Sequence, residues 1–195
     1  MHGSLLPRYR GRAPVNWAVL RGETETGATL HHMTVKPDDG DIVAQTAVPI
    51  LPDDTAREVF DKVTVAAELT LFGAVPALLA GTAPRRRQDL AQGSYFGGRK
   101  PEDGIIDWMQ PAPAIHNLVR AVAPPYPGAG TAVGGIPARV LRSRVLATDA
   151  PATPDPITTK STGVSVGYDL PAGITWESVL TALCRAAPAP RQTRP

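Results

Sequence analysis

A long periodic run of apolar residues constrains the fold of this chain more than any other sequence feature. Between residues 56 and 78, apolar side chains recur at steps of three or four, which is the spacing of one helix face. Thr55, with Glu58 three residues later, forms a capping-box pattern at the start of the run. The pattern predicts a long amphipathic helix, kinked or ended near Pro76 because proline cannot donate the helical hydrogen bond. The recurring residues are Ala56, Val59, Phe60, Val63, Ala67, Leu71, Val75 and Leu78.

The most apolar part of this predicted helix, residues 63–80, is about the minimum length that could span a bilayer. Glu68, two threonines, Gly73 and Pro76 interrupt it, and polar residues of this kind oppose membrane insertion. We therefore expect a helix buried in a protein core, and no membrane partner.

Shorter elements are predicted on either side of the long helix. Pro14 suits the first turn of a helix that Gly22 ends, and residues 28–33 and 41–50 are two candidate strands. Residues 81–105, rich in glycine, proline and charge, are expected to form a linker. A short helix over residues 112–122 and a strand over residues 140–146 are predicted to follow it.

Composition limits the class of protein only loosely. A chain of 195 residues with 43% hydrophobic residues can bury a core as one large or two small domains. A net charge of +2 neither requires nor excludes a nucleic-acid partner. Cys184 is the single cysteine, which excludes an internal disulfide framework and suits a reducing cytoplasm. The first residues lack the charged and apolar regions of a signal peptide, so a cytoplasmic location is expected.

An imidazole and an acidic turn supply the candidate catalytic groups. His2 opens a turn-rich, cationic segment, and the turn at residues 36–41 contains three aspartates. A neighbouring carboxylate orients an imidazole and favours its protonated form, which suits acid/base chemistry. Spacing alone leaves open the alternative that this histidine is incidental or frayed at the chain end. The aspartates do not follow the register of a calcium-binding loop, so no metal is expected.

Four segments of the chain resemble the folate-dependent formyltransferases. They are HGSLLPRYRGRAPVNWAVLRGETETGATLHHM, DDGDIVAQ, SYFGGRKPEDGIIDW and AIHNLVRAVAPPYPGA, and they reach from residue 1 to about residue 145. In that family a His, a small residue and Ser-Leu-Leu-Pro are followed later by an Asp before a Gly-Asp-Ile-like strand. His2 to Pro7 and Asp38 match these positions. The chain looks most like the formyltransferase domain acting on UDP-4-amino-4-deoxy-L-arabinose, and next like methionyl-tRNA formyltransferase.

The resemblance implies an α/β fold. Residues 1–92 are expected to form the C-terminal half of a Rossmann-like formyltransferase domain, and residues 93–147 a linker with a small, partly degenerate OB-like β-barrel. Residues 148–195 match the family poorly and are expected to be partly disordered. The family's Asn, two residues before the His, and the first half of the domain would precede Met1, so an N-terminally truncated chain is expected. The missing strands would leave an open sheet edge through which copies could self-associate.

The implied reaction transfers a formyl group from N10-formyltetrahydrofolate, the expected co-substrate, to a primary amine. The resemblance makes His2 the acid/base residue and Asp38 the group that orients it. The Asn ahead of the motif is the implied oxyanion donor, and losing such a donor in other enzymes costs about 10²–10³ in rate. Arg12 matches an arginine that contacts cofactor or substrate. The matching folate-contacting loop consists of Thr34, Val35, Lys36, Pro37 and Asp38.

Three functions stay open on these grounds. Gly3, Tyr9, Arg12 and the Asn16-Trp17 pair favour a UDP-amino sugar as the acceptor. The alternatives are formylation of methionyl-tRNA, and a truncated fragment without turnover. His31, His32 and His116 are expected to be packing residues rather than ligands, and without the resemblance Arg8, Arg10 and Arg12 would be assigned to a solvated basic loop.

Overall fold

A two-stranded antiparallel sheet and one long helix form the N-terminal part of the protein. The computed structural model describes residues 1–145 and the backbone of Val164–Ser165. Strand β2 (Glu25–His31) pairs with β3 (Ile42–Pro49), and helix α2 (Ala56–Leu79) packs against both strands. Buried side chains from all three elements, Ala28, Val43, Val59 and Val63 among them, lie within this part. Both strands confirm the sequence prediction, with β2 starting three residues earlier than expected.

The N-terminus of α2 is capped as the sequence predicts. Thr55 Oγ1 accepts a hydrogen bond from the Glu58 N–H at 3.3 Å, and the Glu58 carboxylate accepts one from the Thr55 N–H at 2.7 Å. The sequence predicts a helix kinked or ended near Pro76, and Pro76 lies inside the helix, which ends three residues later at Leu79. The carbonyl that Pro76 cannot satisfy belongs to Phe72, whose side chain is 83% exposed, so water can replace the missing donor.

Only one face of α2 is buried, which confirms an amphipathic helix, whereas the expectation that residues 63–80 are buried in a protein core is wrong. Small and β-branched residues such as Val59, Val63 and Ala66 face the sheet. The remaining surface carries exposed large apolar side chains: Phe60, Val65, Leu69, Leu71, Phe72 and Leu79. Two strands are too narrow to cover more than one side of a helix that is apolar on nearly every side. By length and composition alone α2 meets the criteria for a membrane-spanning helix, criteria that core helices of soluble proteins also meet.

The opening segment is tied into the fold and is not frayed. The His2 N–H donates to the Thr29 carbonyl at 2.8 Å, and the Thr29 N–H donates back to the His2 carbonyl at 2.9 Å. Further along, β1 (Arg10–Gly11) pairs in parallel with β4 (Tyr95–Phe96), and helix α1 (Pro14–Leu20) follows as predicted. The incoming segment therefore holds a fixed position against both the sheet and the linker.

The C-terminal part consists of one helix and short hairpins. Helix α3 (Ala112–Ala121) packs against α1, and β5 (Ala129–Val133) pairs with β6 (Ile136–Val140). The predicted strand over residues 140–146 is wrong in its bounds, because β6 ends at Val140 and β7 (Arg144–Val145) is separate. Leu146 lies outside the described residues. Strand β7 pairs with β8 (Val164–Ser165), so each sheet formed by the described residues has two strands.

The hairpin of β5 and β6 was not predicted from the sequence, although its turn is of a kind that a sequence can indicate. Gly134 and Gly135 both have positive φ, at 57° and 80°, so the turn depends on two adjacent glycines. The strands beside them are short and lack a clear alternation of apolar and polar residues. The OB-like barrel and the boundary at residue 92 stay predictions. Apart from β8, the predicted tail over residues 148–195 lies outside the described residues.

Candidate active site

The structure places His2 and Asp38 side by side. His2 Nδ1 lies 3.4 Å from Asp38 Oδ1, and the side chains are 9% and 17% exposed. Backbone pairing with Thr29 fixes His2 at the edge of the sheet, and Asp38 is in the loop between β2 and β3. A gap of 3.4 Å is slightly longer than an ordinary hydrogen bond, and such contacts often tighten when substrate binds.

Two groups position Asp38. The Gly11 N–H donates to Asp38 Oδ2 at 2.9 Å, and Gln88 Nε2 donates to the Asp38 and Gly40 carbonyls at 3.1 and 2.6 Å. Asp38 itself has a φ of 57°, a conformation that is uncommon outside glycine and is often kept at functional sites. The carboxylate is therefore aimed at His2 by the backbone of one loop and the side chain of another.

The second nitrogen of His2 is also engaged. His2 Nε2 lies 2.9 Å from the Tyr9 carbonyl, which can only accept, so Nε2 carries a proton. In a neutral ring, Nδ1 is then the unprotonated nitrogen, and it faces Asp38. Proton exchange with a substrate would accordingly occur at Nδ1, on the side of the carboxylate.

Arg12 lies in a different place, in a basic cleft of about 550 Å³ between α1, the linker and the β5–β6 hairpin. The cationic residues that line this cleft are Arg12, Arg99, Lys100 and Arg139, and no described lining residue is acidic. The Arg12 guanidinium passes close over Gly98, where an added β-carbon would lie 3.4 Å from Cζ. The cleft is thus built to receive an anion.

Arg99 has a buried guanidinium nitrogen that lacks a hydrogen-bond partner in the part of the chain that the structure describes. Its Nη2 donates to the Asp103 carbonyl at 2.7 Å, and its Cζ lies 5.2 Å from the centre of the Trp17 ring. Its Nη1 is buried with no partner among the described residues. Burial lowers the pKa of Arg99, and the nearby Asp103 carboxylate only partly offsets this. A bound anion would supply the missing partner.

The predicted folate-contacting residues occupy a third position. Thr34, Val35, Lys36 and Pro37 are exposed, and the first three line a cavity of about 890 Å³. Asp39 and Asp89 line the same cavity, as does Gln88, whose Oε1 is buried and unpartnered. A pterin ring presents amino and N–H donors, which suit these acceptor oxygens. These acceptor oxygens therefore fit a folate.

The three carboxylates of the acidic turn have different partners. Asp38 faces His2, Asp39 accepts a hydrogen bond from Thr34 Oγ1, and Asp41 pairs with Arg85 at 3.3 Å. Within residues 1–145, no group of three His, Cys, Asp or Glu side chains is arranged to hold a metal ion. His116, expected to be a packing residue, is buried and hydrogen-bonded to Ser143 Oγ and the Pro52 carbonyl.

Sequence reasoning missed Gln88 and the cleft residues Arg99, Lys100 and Arg139 as members of the site. The GGRK segment at residues 97–100 carried a usable signal, because two glycines beside two cations suit close approach of an anion. Gln88 and Arg139 had none, since each reaches the site only through tertiary packing.

Comparison with known proteins identifies the family of the chain. The formyl transferase family model matches residues 1–75, and the model of the formyl transferase C-terminal domain matches residues 99–169. The N-formyltransferase from Helicobacter canadensis, in complex with folinic acid and dTDP-3-aminofucose, is 29% identical with a TM-score of 0.59. That match covers 62% of this chain and 45% of the relative.

Two further solved structures are similar. WlaRD, a sugar 3N-formyltransferase crystallised in the presence of dTDP and 5-N-formyl-THF, is 28% identical with a TM-score of 0.57, over 62% of this chain and 44% of its own. A 4-N formyltransferase from Francisella tularensis shares the fold at 21% identity and a TM-score of 0.63, over 74% of this chain and 62% of its own. This chain thus spans less than half the length of the first two relatives. The two family models together match about three quarters of its residues, and the chain belongs to the folate-dependent formyltransferase family.

Proposed function

We propose that this protein takes part in the transfer of a formyl group from N10-formyltetrahydrofolate to the amine of a nucleotide-linked amino sugar. His2 is the proposed acid/base residue, Asp38 orients it, and the basic cleft at Arg12 holds the diphosphate of the sugar nucleotide. Relatives that were solved with dTDP or a dTDP-amino sugar support this class of acceptor. A UDP-4-amino-4-deoxy-L-arabinose-like sugar is the particular acceptor we propose.

One observation supports the proposal most strongly, namely the adjacency of the acid/base pair and the basic cleft. The Gly11 N–H contacts Asp38, and Arg12, the next residue, lines the cleft. An anion held by Arg12 and Arg99 is therefore anchored at the residue that follows Gly11, whose N–H holds Asp38. A nucleotide sugar has this layout, with a diphosphate near the sugar and an amine beyond it.

The chemistry needs a proton to leave the attacking ammonium and one to reach the departing nitrogen. In the proposal His2 accepts the first at Nδ1 and gives it to the departing nitrogen, and Asp38 stabilises the imidazolium that forms between these two steps. The tilt of the ring is held by the hydrogen bond from Nε2 to the Tyr9 carbonyl. When bound, the formyl folate supplies an activated formyl carbon, and Thr34, Val35, Lys36, Pro37, Gln88 and Asp38 are the residues proposed to hold it.

A direct test separates binding from turnover. Calorimetry with UDP or dTDP measures occupancy of the cleft by this chain, and Arg99→Ala is expected to weaken binding about ten- to hundredfold through loss of a charge-assisted contact. Arg87→Ala in the exposed linker is the matched control, with affinity unchanged. Equal affinity in wild type and Arg99→Ala would contradict the assignment of the cleft.

Turnover is tested by offering formyl folate with UDP-4-amino-4-deoxy-L-arabinose, a dTDP-amino sugar, or charged initiator tRNA. The formylated product is identified by its mass. Formylation of a sugar supports the proposal. Formylation of the tRNA alone, with a steep salt dependence, would replace it by the tRNA alternative. Nucleotide binding without any product would favour the inactive-fragment alternative.

We also propose which parts of the fold two regions of the chain form. Separate matches by the N-terminal and C-terminal family models support a Rossmann-like half over residues 1–92 and an OB-like subdomain over residues 93–147. A cytoplasmic site of action is proposed from the single cysteine, which suits a reducing compartment.

A further inference from the structure

Asp38 faces a second imidazole besides that of His2. His31 Nε2 lies 3.7 Å from Asp38 Oδ1, the same oxygen that lies 3.4 Å from His2 Nδ1. Both histidine side chains are 9% exposed. Among the described residues, these two rings are the only cationic groups within 4 Å of this carboxylate, and Asp38 is the only carboxylate within 4 Å of either ring. One oxygen thus lies between two buried imidazoles.

The sheet brings the two rings to this point. His2 pairs with Thr29, and His31 lies two residues beyond Thr29 on the same strand, so both side chains lie near one edge position. The register between β2 and β3 shifts after Leu30, because Leu30 lies opposite Ala44 whereas His31 lies opposite Ile42. The extra residue of this bulge is Val43 on β3, so the bulge changes the position of His31 relative to its partner strand, and bulges are frequent beside active sites.

Hydrogen bonding fixes the tautomer of both rings. His2 Nε2 lies 2.9 Å from the Tyr9 carbonyl, and His31 Nδ1 lies 3.0 Å from the His32 carbonyl. A carbonyl only accepts, so each ring donates there, and the nitrogen left over in each neutral ring is an acceptor. Both leftover nitrogens face Asp38 Oδ1. The lone pairs on these two nitrogens repel the lone pairs of the carboxylate oxygen. One proton bound by any of the three groups removes this repulsion.

We infer that His31 is a positioning residue of the site, because it shares one proton with His2 across Asp38. While the proton is on His31, Asp38 is neutralised and His2 has a free Nδ1 lone pair, which is the form able to accept a proton. While it is on His2, that ring is the acid. His31 acts through Asp38 and does not contact substrate. The consequence for catalysis rests on the proposed function, whereas the shared proton does not.

The inference is tested on the chain itself by NMR of ¹⁵N-labelled histidine, which reports the protonation of each ring nitrogen. In wild type, the ¹⁵N shift of His2 Nδ1 is expected to lie between the values of a protonated and an unprotonated ring nitrogen, because the proton is shared. His31→Gln should move this shift towards the protonated value, since the proton can then no longer reside on residue 31. His32→Gln, one residue along, is the matched control and should leave the His2 shift unchanged.

A double-mutant comparison makes the assignment specific to Asp38. In an Asp38→Asn background, His31→Gln should move the His2 Nδ1 signal by less than half as much as in wild type. An unchanged His2 Nδ1 signal in folded His31→Gln protein, or an equal movement in the Asp38→Asn background, would overturn the inference.

The outcome is independent of turnover. If no amine is formylated but the His2 Nδ1 signal responds to His31→Gln through Asp38, the proposed function fails and the shared proton stands. If a sugar is formylated, kcat/KM should fall in His31→Gln, because His2 then keeps its proton and accepts one from the ammonium less readily. A fall in kcat/KM without any change in the His2 Nδ1 signal would contradict the role of His31.

Discussion

The backbone N–H of Gly11 donates to Asp38 Oδ2 over 2.9 Å, and both residues have positive φ, at 94° and 57°. Gly11 can adopt this conformation at little cost, and Asp38 adopts it less readily. The close approach has a second requirement, since a β-carbon on Gly11 would lie 2.2 Å from the Phe96 carbonyl oxygen. The position of the candidate acid/base pair therefore depends on a residue without a side chain at the end of β1.

Gly11→Ala is expected to destabilise the protein and to displace Asp38. The backbone strain alone costs about 1–3 kcal/mol, and the contact with Phe96 adds to it. Denaturant unfolding measures the loss. Gly81→Ala is the matched control, because Gly81 has a φ of 68° but has no atom within 4 Å of an added β-carbon. If both variants lose the same stability, the contact with Phe96 contributes nothing.

Asp38→Asn tests the charge of the site while keeping its shape. The amide can still accept the Gly11 hydrogen bond, but it cannot stabilise a protonated His2. If formyl transfer is detected, kcat/KM is expected to fall about 10²–10⁴-fold, the usual contribution of acid/base assistance. Asp39→Asn, which changes the adjacent carboxylate that bonds to Thr34, should have a much smaller effect. Similar losses in the two variants would argue against a specific role for Asp38.

Local signals in the sequence predicted the helices well. The start of α2 follows from Thr55 and Glu58, which are three residues apart, and α1 and α3 begin at prolines or directly after them. The pairing of His2 with Asp38 came from resemblance to a family, since no local pattern connects residues so far apart. His31 was assigned to packing because the alternation of a strand indicates only on which face of the sheet a side chain lies. The register shift after Leu30 cannot be predicted from the residues that precede it.

The burial of α2 shows the limit of periodicity. Its apolar pattern predicted a helix correctly, but the degree of burial depends on how much sheet lies against it. Two described strands cover the face that contains Val59 and Val63, and leave Phe72 exposed. The basic cleft is a comparable case, because Arg12, Arg99 and Arg139 come from three distant segments that only the fold brings together.

Gln88→Leu is expected to loosen the loop that contains Asp38. Gln88 is buried, and its Nε2 donates to the carbonyls of both Asp38 and Gly40. Leaving these two acceptors without their donor should cost about 1–3 kcal/mol in the free energy of unfolding. Gln92→Leu serves as control, since Gln92 is exposed and its side chain bonds only to nearby Asp89. Amide hydrogen exchange should show faster opening of residues 36–41 in Gln88→Leu alone. Equal exchange in both variants would contradict this role.

Glu23 should make the stability of the protein depend on acid pH. Its carboxylate accepts a hydrogen bond from the Tyr9 hydroxyl at 2.6 Å and pairs with Arg8 at 2.5 Å. Burial raises the pKa of Glu23, but the hydrogen bonds from Arg8 and Tyr9 together outweigh it, so the pKa lies below its ordinary value of 4.5. The folded state then binds this proton less tightly than the unfolded state does. The stabilisation is complete above pH 4.5 and is lost as the pH falls from there towards the lower, folded-state pKa.

The measurement is the free energy of unfolding of wild type and Glu23→Gln between pH 3 and 7. Above pH 4.5 the wild type should be the more stable of the two, because the glutamine cannot pair with the Arg8 guanidinium. The difference should shrink as the pH falls, since protonation removes the same charge from the wild type. Glu68→Gln on the exposed surface of α2 controls for the loss of one negative charge and should show no such convergence. A difference between wild type and Glu23→Gln that stays constant across the range would show that the carboxylate contributes through packing and not through its charge.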